Sequence, residues 1–192
     1  MVMNLKVVSL IKSIVSEVVS EGDTVIDATV GNGYDTQFLA ELVGDKGLVY
    51  GFDIQKEAVQ LTRKRLKTSG LDKRVRLVCD GHERMDMYIT GMVKAAIFNL
   101  GYLPGGCHRI TTLTDTTLTA VNKSMGMLLP GGITVIAVYC GHSEGQMEEN
   151  ILREFISGLD AHSYMAVSVR AENQKNNPPV LYVVQRKNTV KC

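Results

Sequence analysis

The stretch Asp27-Ala28-Thr29-Val30-Gly31-Asn32-Gly33-Tyr34-Asp35 follows a β-branched run, Thr24 to Ala28, and opens directly into a helical pattern over Tyr34 to Leu42. Gly31 and Gly33 permit a tight turn and let a ligand approach the backbone closely. The next β-rich run, Leu48 to Phe52, ends at Asp53, 20 residues after Gly33. At that distance a carboxylate accepts hydrogen bonds from ribose hydroxyls. The pattern predicts a βαβ unit carrying a nucleoside cofactor beyond its strand ends, against the plainer reading of an ordinary strand-to-helix turn. A dinucleotide fingerprint places a third glycine three residues after Gly33, where the helix must pack close beneath a pyrophosphate. Thr36 stands there instead, which weakens the dinucleotide reading.

The same alternation extends in both directions. Val7, Val8, Leu10, Ile11, Ile14, Val15, Val18 and Val19 recur at helical spacing and predict an amphipathic helix before the first strand. After Asp53 the reading is helix over Gln55 to Thr68, strand Val75 to Cys79, a short helix near Glu83 to Tyr88, and strand Ala95 to Asn99. A helix over Leu113 to Leu128, strand Ile133 to Tyr139 and a helix over Gln146 to Leu159 follow, with Pro130, Gly131 and Gly132 as the break between helix and strand. Two last runs, Met165 to Val169 and Val180 to Gln185, have only the polar linker Glu172 to Pro179 between them and so pair antiparallel. The expectation is an α/β fold in one domain over residues 1–192: a seven-stranded, mostly parallel sheet with an antiparallel last strand and helices on both faces. Ligands of such sheets bind beyond the carboxyl ends of the strands, so the chemistry belongs in the loops that follow them.

Composition narrows the partners little. With 21 Lys+Arg against 20 Asp+Glu, no global basic field advertises nucleic acid, and RNA contact has to come from a local patch. The segment Lys56 to Arg76 has eight basic residues, Lys56, Arg63, Lys64, Arg65, Lys67, Lys73, Arg74 and Arg76, but reads slightly better as a solvated helix face than as a phosphate contact. Cys79, Cys107, Cys140 and Cys192 have no zinc-site spacing, so they read as reduced thiols in a cytoplasmic protein with no metal. Lys12 and Glu17 interrupt the apolar N-terminal run, which excludes a signal peptide, and no uncharged stretch is long enough for a membrane span. The methionines Met85, Met87, Met125 and Met127 read as helix packing. A homodimer is compatible with the sequence, which does not fix the oligomeric state.

Two further loops carry chemistry: Cys79-Asp80-Gly81-His82-Glu83 after the third strand, and Asn99-Leu100-Gly101-Tyr102-Leu103-Pro104-Gly105-Gly106 after the fourth. With Asp27 to Asp35, Tyr139-Cys140-Gly141-His142 and Asn173 to Pro179, they resemble the family called putative rRNA methylases, within the Rossmann-like class I S-adenosylmethionine-dependent methyltransferases. Its characterised members methylate the primary amine of 5-aminomethyl-2-thiouridine at the tRNA wobble position. By that resemblance Gly31, Asn32 and Gly33 line the methionine side of S-adenosylmethionine, Asp27 and Asp35 belong to the same cofactor site, Asp53 holds the ribose, and Gln55, Asp80, Gly81 and His82 lie by the adenosine. The fourth-strand loop corresponds to the Asn/Asp-Pro-Pro-Tyr of amine methylases, with Leu100 and Gly101 replacing both prolines. Asn99 and Tyr102 then place the amine, and Asp27 and His82 are the nearest candidates for handling its proton. His108, Arg109, Tyr139, His142 and Lys175 are the candidates for holding the anticodon loop of a tRNA. A methyltransferase of rRNA or of a small molecule, and a noncatalytic nucleoside-binding module, remain as alternatives.

Overall fold

A computed structural model describes residues 6–100, 114–141, 143–175 and 177–188. In chain order they form α1 (Val7–Val18), β1 (Thr24–Asp27), α2 (Tyr34–Val43), β2 (Leu48–Phe52), α3 (Lys56–Thr68) and β3 (Val75–Val78). β4 (Val93–Leu100), α4 (Thr114–Gly126), β5 (Leu128–Val138), α5 (Ser143–Ser157), β6 (Tyr164–Arg170) and β7 (Val180–Arg186) follow. Short 3-10 helices cover Asp72–Arg74 and His82–Met87. The strands form one sheet in the order β3-β2-β1-β4-β5-β7-β6. Every neighbouring pair is parallel except the two made by β7, which runs against both β5 and β6. The reversed last strand follows from the absence of a crossover helix between β6 and β7.

Each face of the sheet buries a core. On one side α1 inserts Leu10, Ile11 and Val15 and α2 inserts Leu39, Ala40 and Val43, together with Val25, Val49, Ile97 and Val135 of the strands. On the other, Ala120, Val121 and Met125 of α4 and Leu152 and Ile156 of α5 pack on Ile26, Phe52, Phe98 and Ile136. Fully burying a side chain of this kind is worth about 1.5–3 kcal/mol. Chain order reverses between β1 and β4, so the strand ends Asp27 and Asn99 meet at the topological switch point where α/β sheets bind ligands.

Two boundaries depart from the sequence reading. β5 begins at Leu128, so Pro130, Gly131 and Gly132 lie within it and are no break. The register against β4 steps from Val93↔Leu128 to Ala95↔Ile133, and Gly131 at φ 75 takes up the extra residues in a bulge. α5 begins at Ser143, three residues earlier than its apolar pattern. Met85 and Met125 are core, as expected of packing methionines, but Met87 is 74% exposed.

One polar cluster ties β7 to the helix layer. The buried Glu149 of α5 accepts a 2.7 Å hydrogen bond from the Tyr182 hydroxyl and pairs with Arg170 at 3.2 Å. Removing the hydroxyl in Tyr182→Phe deletes a hydrogen bond to a charged group, for which about 1.5–3 kcal/mol of unfolding free energy is the expected loss. Urea titration of the two proteins measures it.

Candidate active site

The loop between β1 and α2 is held from three directions. Beneath it the buried Asp27 accepts from the Thr29 N–H at 3.1 Å and from the Thr36 hydroxyl at 2.6 Å. Thr36 thus has its own work at the position where a dinucleotide site has its third glycine. From β2, Asp53 accepts the Gly31 N–H at 2.9 Å through one oxygen and the Gln55 N–H at 2.8 Å through the other. From α3, the Thr62 hydroxyl donates to the Gly31 carbonyl at 3.2 Å, and Arg65 donates to the Asn32 carbonyl at 3.0 Å while stacking 3.9 Å over the Tyr34 ring. Gly33 is left-handed at φ 76, and a Cβ there would overlap the Thr62 side chain. The turn therefore requires glycine for two reasons.

Thr62 and Arg65 escaped the sequence reading, since contacts across 31 and 33 residues leave no local pattern. Three of the basic residues in Lys56 to Arg76 are engaged in the framework. Arg65 clamps the loop, Arg74 pairs with Asp45 and donates to the Ala40 carbonyl, and Arg76 donates to the Tyr50 hydroxyl.

Three carboxylates converge on this loop with no lysine or arginine bonded to any of them among the described contacts. Burial pushes the Asp27 carboxyl up to about 7; the charge of Asp35 adds to the rise, the hydrogen bonds from Thr36 and Thr29 oppose it, and Asp53 adds a smaller push. Such a site favours a ligand with positive charge and disfavours a pyrophosphate. A nucleoside bearing a sulfonium and an ammonium fits it.

At the end of β3, Asp80 accepts from the Gly81 N–H at 2.8 Å and from the Tyr88 hydroxyl at 2.7 Å. The Tyr88 bond leads the causes that hold its carboxyl below the ordinary range. Tyr88 is a further residue the sequence reading missed. His82 is buried, with Nδ1 3.0 Å from the Ala28 carbonyl. A carbonyl only accepts, so Nδ1 carries the proton and Nε2 is the acceptor. Burial lowers the imidazole pKa, which keeps the ring neutral.

β4 delivers Asn99 to the same place. Its backbone N–H donates to the Thr29 hydroxyl at 2.8 Å, and its side-chain Nδ2 donates to Asp35 at 3.2 Å. Its Oδ1 is buried and has no hydrogen-bond partner among the described residues. A buried polar atom without a partner is the exception in a native fold and asks for a cause, a bound ligand or water among them. Tyr139 is half-buried, and burial and the nearby charge of Asp35 raise its phenol pKa.

The structure therefore brings Asp27, Gly31, Asn32, Gly33, Asp35, Asp53, Gln55 and Asn99 together, with Tyr139 beside Asp35 and with Asp80, Gly81 and His82 on the adjoining strand end. Lys175 is exposed in the linker between β6 and β7. Tyr102, His108, Arg109 and His142 lie outside the described residues. Among the described residues no group of three or more His, Cys, Asp and Glu side chains is arranged to hold a metal ion, and no helix is long and apolar enough to cross a membrane.

This strand order, with a reversed seventh strand and a glycine loop between two acidic strand ends, defines a class I methyltransferase. The family model described as "Putative rRNA methylase" matches residues 49–185, and the chain belongs to that family. A model for protein-L-isoaspartate O-methyltransferases matches residues 2–89, the half that builds the glycine loop. A structure described as a "putative rRNA-methylase" from Clostridium thermocellum is 43% identical, with a TM-score of 0.94 over 96% of this chain and 100% of that one. A "putative methyltransferase" from Streptococcus mutans, solved in complex with SAH, is 37% identical, with a TM-score of 0.88 over 96% of this chain and 99% of that one. The tRNA (mnm(5)s(2)U34)-methyltransferase, chloroplastic, of Arabidopsis thaliana is 37% identical over 90% of this chain, which spans 66% of that relative's length.

The Asp27 environment has a consequence for stability. Its carboxyl is raised from an ordinary 3.8 to about 7, so between those values the folded chain keeps a proton that the unfolded chain has released. This contribution to stability is full below pH 4 and is lost as pH rises toward and through 7. The unfolding midpoint of the natural protein should fall relative to that of Asp27→Asn between pH 5 and pH 8. Differential scanning calorimetry of both proteins across that range checks it, and a constant difference would contradict the buried-carboxyl account.

Proposed function

We propose that this chain is an S-adenosylmethionine-dependent RNA methyltransferase whose acceptor is the primary amine of 5-aminomethyl-2-thiouridine at the tRNA wobble position. The observation that carries the reading is the Oδ1 of Asn99, buried and without a partner among the described residues, an amide acceptor beside a loop whose carboxylates suit a cationic nucleoside. The SAH complex of the Streptococcus mutans protein supports the cofactor, and the substrate of the Arabidopsis relative supports the acceptor.

When bound, S-adenosylmethionine supplies a methyl group on a sulfonium; the C–S bond breaks with its electron pair going to sulfur as a C–N bond forms. Gly31 to Gly33 and Asp53 would hold the cofactor, and Asp35 would place negative charge beside it. An alkylamine is protonated at neutral pH and has no lone pair with which to attack until that proton leaves. That proton passes to water before the amine docks, since a site walled by carboxylates does not itself disfavour the ammonium. Asn99 Oδ1 then accepts an N–H of the neutral amine and turns its lone pair toward the methyl carbon. The product is a secondary ammonium, which leaves with its proton, as an alkylamine is protonated at neutral pH. His82, neutral and tied to Ala28, braces the floor of the site.

The RNA backbone has cationic contacts on the same edge. A hollow of about 230 Å³ at the carboxyl end of β5 is lined by Arg153 of α5 and Arg170 of β6, both within 4.0 Å of the buried Glu149 that also lines it, so its two cations outnumber its one carboxylate, with the polar side chains of Gln146, Asn150 and Asn177 around them. Lys175 stands in the adjoining linker. These groups are suited to phosphates and base edges of an anticodon loop.

Two substitutions separate the two halves of the site. Asn99→Ala should bind S-adenosylmethionine within about threefold of the natural protein yet lose about 10²-fold in transfer, as expected of a lost positioning contact. Asp53→Ala should instead weaken cofactor binding. Calorimetric titration and transfer of labelled methyl to tRNA bearing the 5-aminomethyl nucleoside measure both. Mass spectrometry of wobble nucleosides from cells lacking the protein tests the acceptor: build-up of the unmethylated amine supports it, and an unchanged wobble nucleoside with a missing rRNA methyl group would replace it.

A homodimer is the assembly this reading favours. Edge strand β6 exposes Met165, Val167 and Val169 by 55%, 52% and 42% on the face that carries Leu181 and Val183 of β7. An edge strand whose exposed face is apolar over Met165 to Val169 invites pairing, and two copies related by a twofold axis satisfy each other. Val167→Lys should convert a dimer into a monomer by light scattering; a natural protein that already runs as a monomer would remove the dimer.

A further inference from the structure

We infer that Asp35 is a positioning residue whose carboxylate sets the orientation of the Asn99 amide, so that Oδ1 and not Nδ2 faces the substrate amine. The inference rests on the reading of Asn99 given above and adds to it a cause for the direction of the amide.

A primary amide has two nearly isosteric ends of opposite hydrogen-bonding character, and only the oxygen end accepts an amine N–H. An Asn side chain with no directional neighbour gains little by choosing either end. Asn99 has such a neighbour in Asp35, 3.2 Å from Nδ2. An ionised carboxylate only accepts, so it accommodates the NH₂ end and repels the oxygen. Oδ1 is thereby directed to the other side, where it is buried and unpartnered among the described residues. The Asn99 backbone is pinned independently by its N–H bond to the Thr29 hydroxyl at 2.8 Å, so the amide rotation is the freedom left for Asp35 to fix.

The position of Asp35 in the first turn of α2 also suits a negative charge at a helix start. That role needs no contact with β4. The bond from Asn99 crosses 64 residues of sequence to reach it. The cofactor role drawn from family resemblance is likewise distinct: a cofactor ligand sets affinity for the cofactor, whereas an orienting group sets the rate once every site is full.

The test uses the intact protein, saturating S-adenosylmethionine, and tRNA carrying 5-aminomethyl-2-thiouridine. Asp35→Ala should lower kcat by about 10²-fold with KM for tRNA within about threefold. Asn99→Asp should also be impaired, since two carboxylates then face each other. Adding Asp35→Asn to Asn99→Asp restores a donor opposite an acceptor and should raise kcat at least about tenfold over Asn99→Asp alone. Neither a helix-start charge nor a cofactor ligand predicts that recovery. Should Asp35→Ala fail to fold, the exchanged pair carries the kinetic test.

A second readout needs no tRNA. In the ¹⁵N-labelled protein the Asn99 side-chain NH₂ resonances should lie downfield and shift on loss of Asp35, in Asp35→Ala or in Asp35→Asn. Unmoved resonances, an undiminished kcat at saturation, or no recovery in the exchanged pair would overturn the inference. If the natural protein leaves the modified tRNA unmethylated while the Asn99 resonances respond to Asp35, the proposed substrate fails and the orienting contact stands.

Discussion

The site is built around a carboxylate that solvent does not reach. Asp27 sits at the end of β1, 1% exposed, and its two oxygens hold the loop backbone at Thr29 and the first turn of α2 at Thr36. Burying an acid is unfavourable unless its lone pairs are satisfied, and even then the charged form is disfavoured, which is why its proton is released only at about 7. That strain buys a rigid turn. With Thr29 fixed, its hydroxyl receives the Asn99 N–H from β4; with Gly31 fixed, its N–H reaches Asp53 on β2. Three strand ends are registered to one loop, and the loop is registered by one acid.

Charge then selects what this loop binds. Asp35 and Asp53 both raise the Asp27 carboxyl, so negative charge on either repels negative charge on Asp27 across the turn. A cation lodged among them relieves that repulsion and an anion adds to it. Many nucleotide sites use the same strand-turn-helix geometry to receive a pyrophosphate on backbone N–H groups. Here the Gly31 N–H already has the Asp53 carboxylate, and the place of the glycine that lets the helix pack close to its strand in a dinucleotide site is filled by a threonine serving Asp27. The backbone geometry is shared with dinucleotide sites while the electrostatics is inverted. His82 is consistent with this division: with Nδ1–H on the Ala28 carbonyl and burial lowering its pKa, it adds no cation to compete with a ligand.

What was legible in the sequence was whatever the chain writes locally. Periodicity placed the seven strands and their helices because burial on one stripe or one face repeats every few residues. The Asp27 to Gly33 turn and Asp53 were legible because a βαβ unit fixes their separation. β5 was misjudged at its start, since a proline and two glycines signal a break as readily as a bulge, and only pairing with Val93 and Ala95 tells them apart. Thr62, Arg65 and Tyr88 were not legible at all. Each acts on a residue that folding brings near, and a threonine or arginine within a basic amphipathic helix looks the same whether it faces water or clamps a loop. Asp35 was legible as a member of the glycine motif, but its contact with Asn99 was not, because nothing in either segment refers to the other.

That contact joins two distant parts of the chain. The glycine loop lies between the first strand and its helix; the acceptor amide arrives on the fourth strand, 70 residues beyond Thr29. Between them the chain turns through β2 and β3 on one side of β1, then returns to place β4 on the other. At such a reversal the neighbouring loops diverge to opposite faces and leave a crevice, so a bond across it joins segments that the local chain cannot hold together. Two such bonds join Asn99 to the loop, one from its backbone to Thr29 and one from its side chain to Asp35. The first fixes the distance between donor and acceptor strands and the second fixes which end of the amide is presented. An alkyl transfer demands little else of the protein than a fixed line between nitrogen, carbon and sulfur. Changing the acceptor chemistry of this fold therefore means changing what β4 presents across that crevice, with the cofactor loop left as it is.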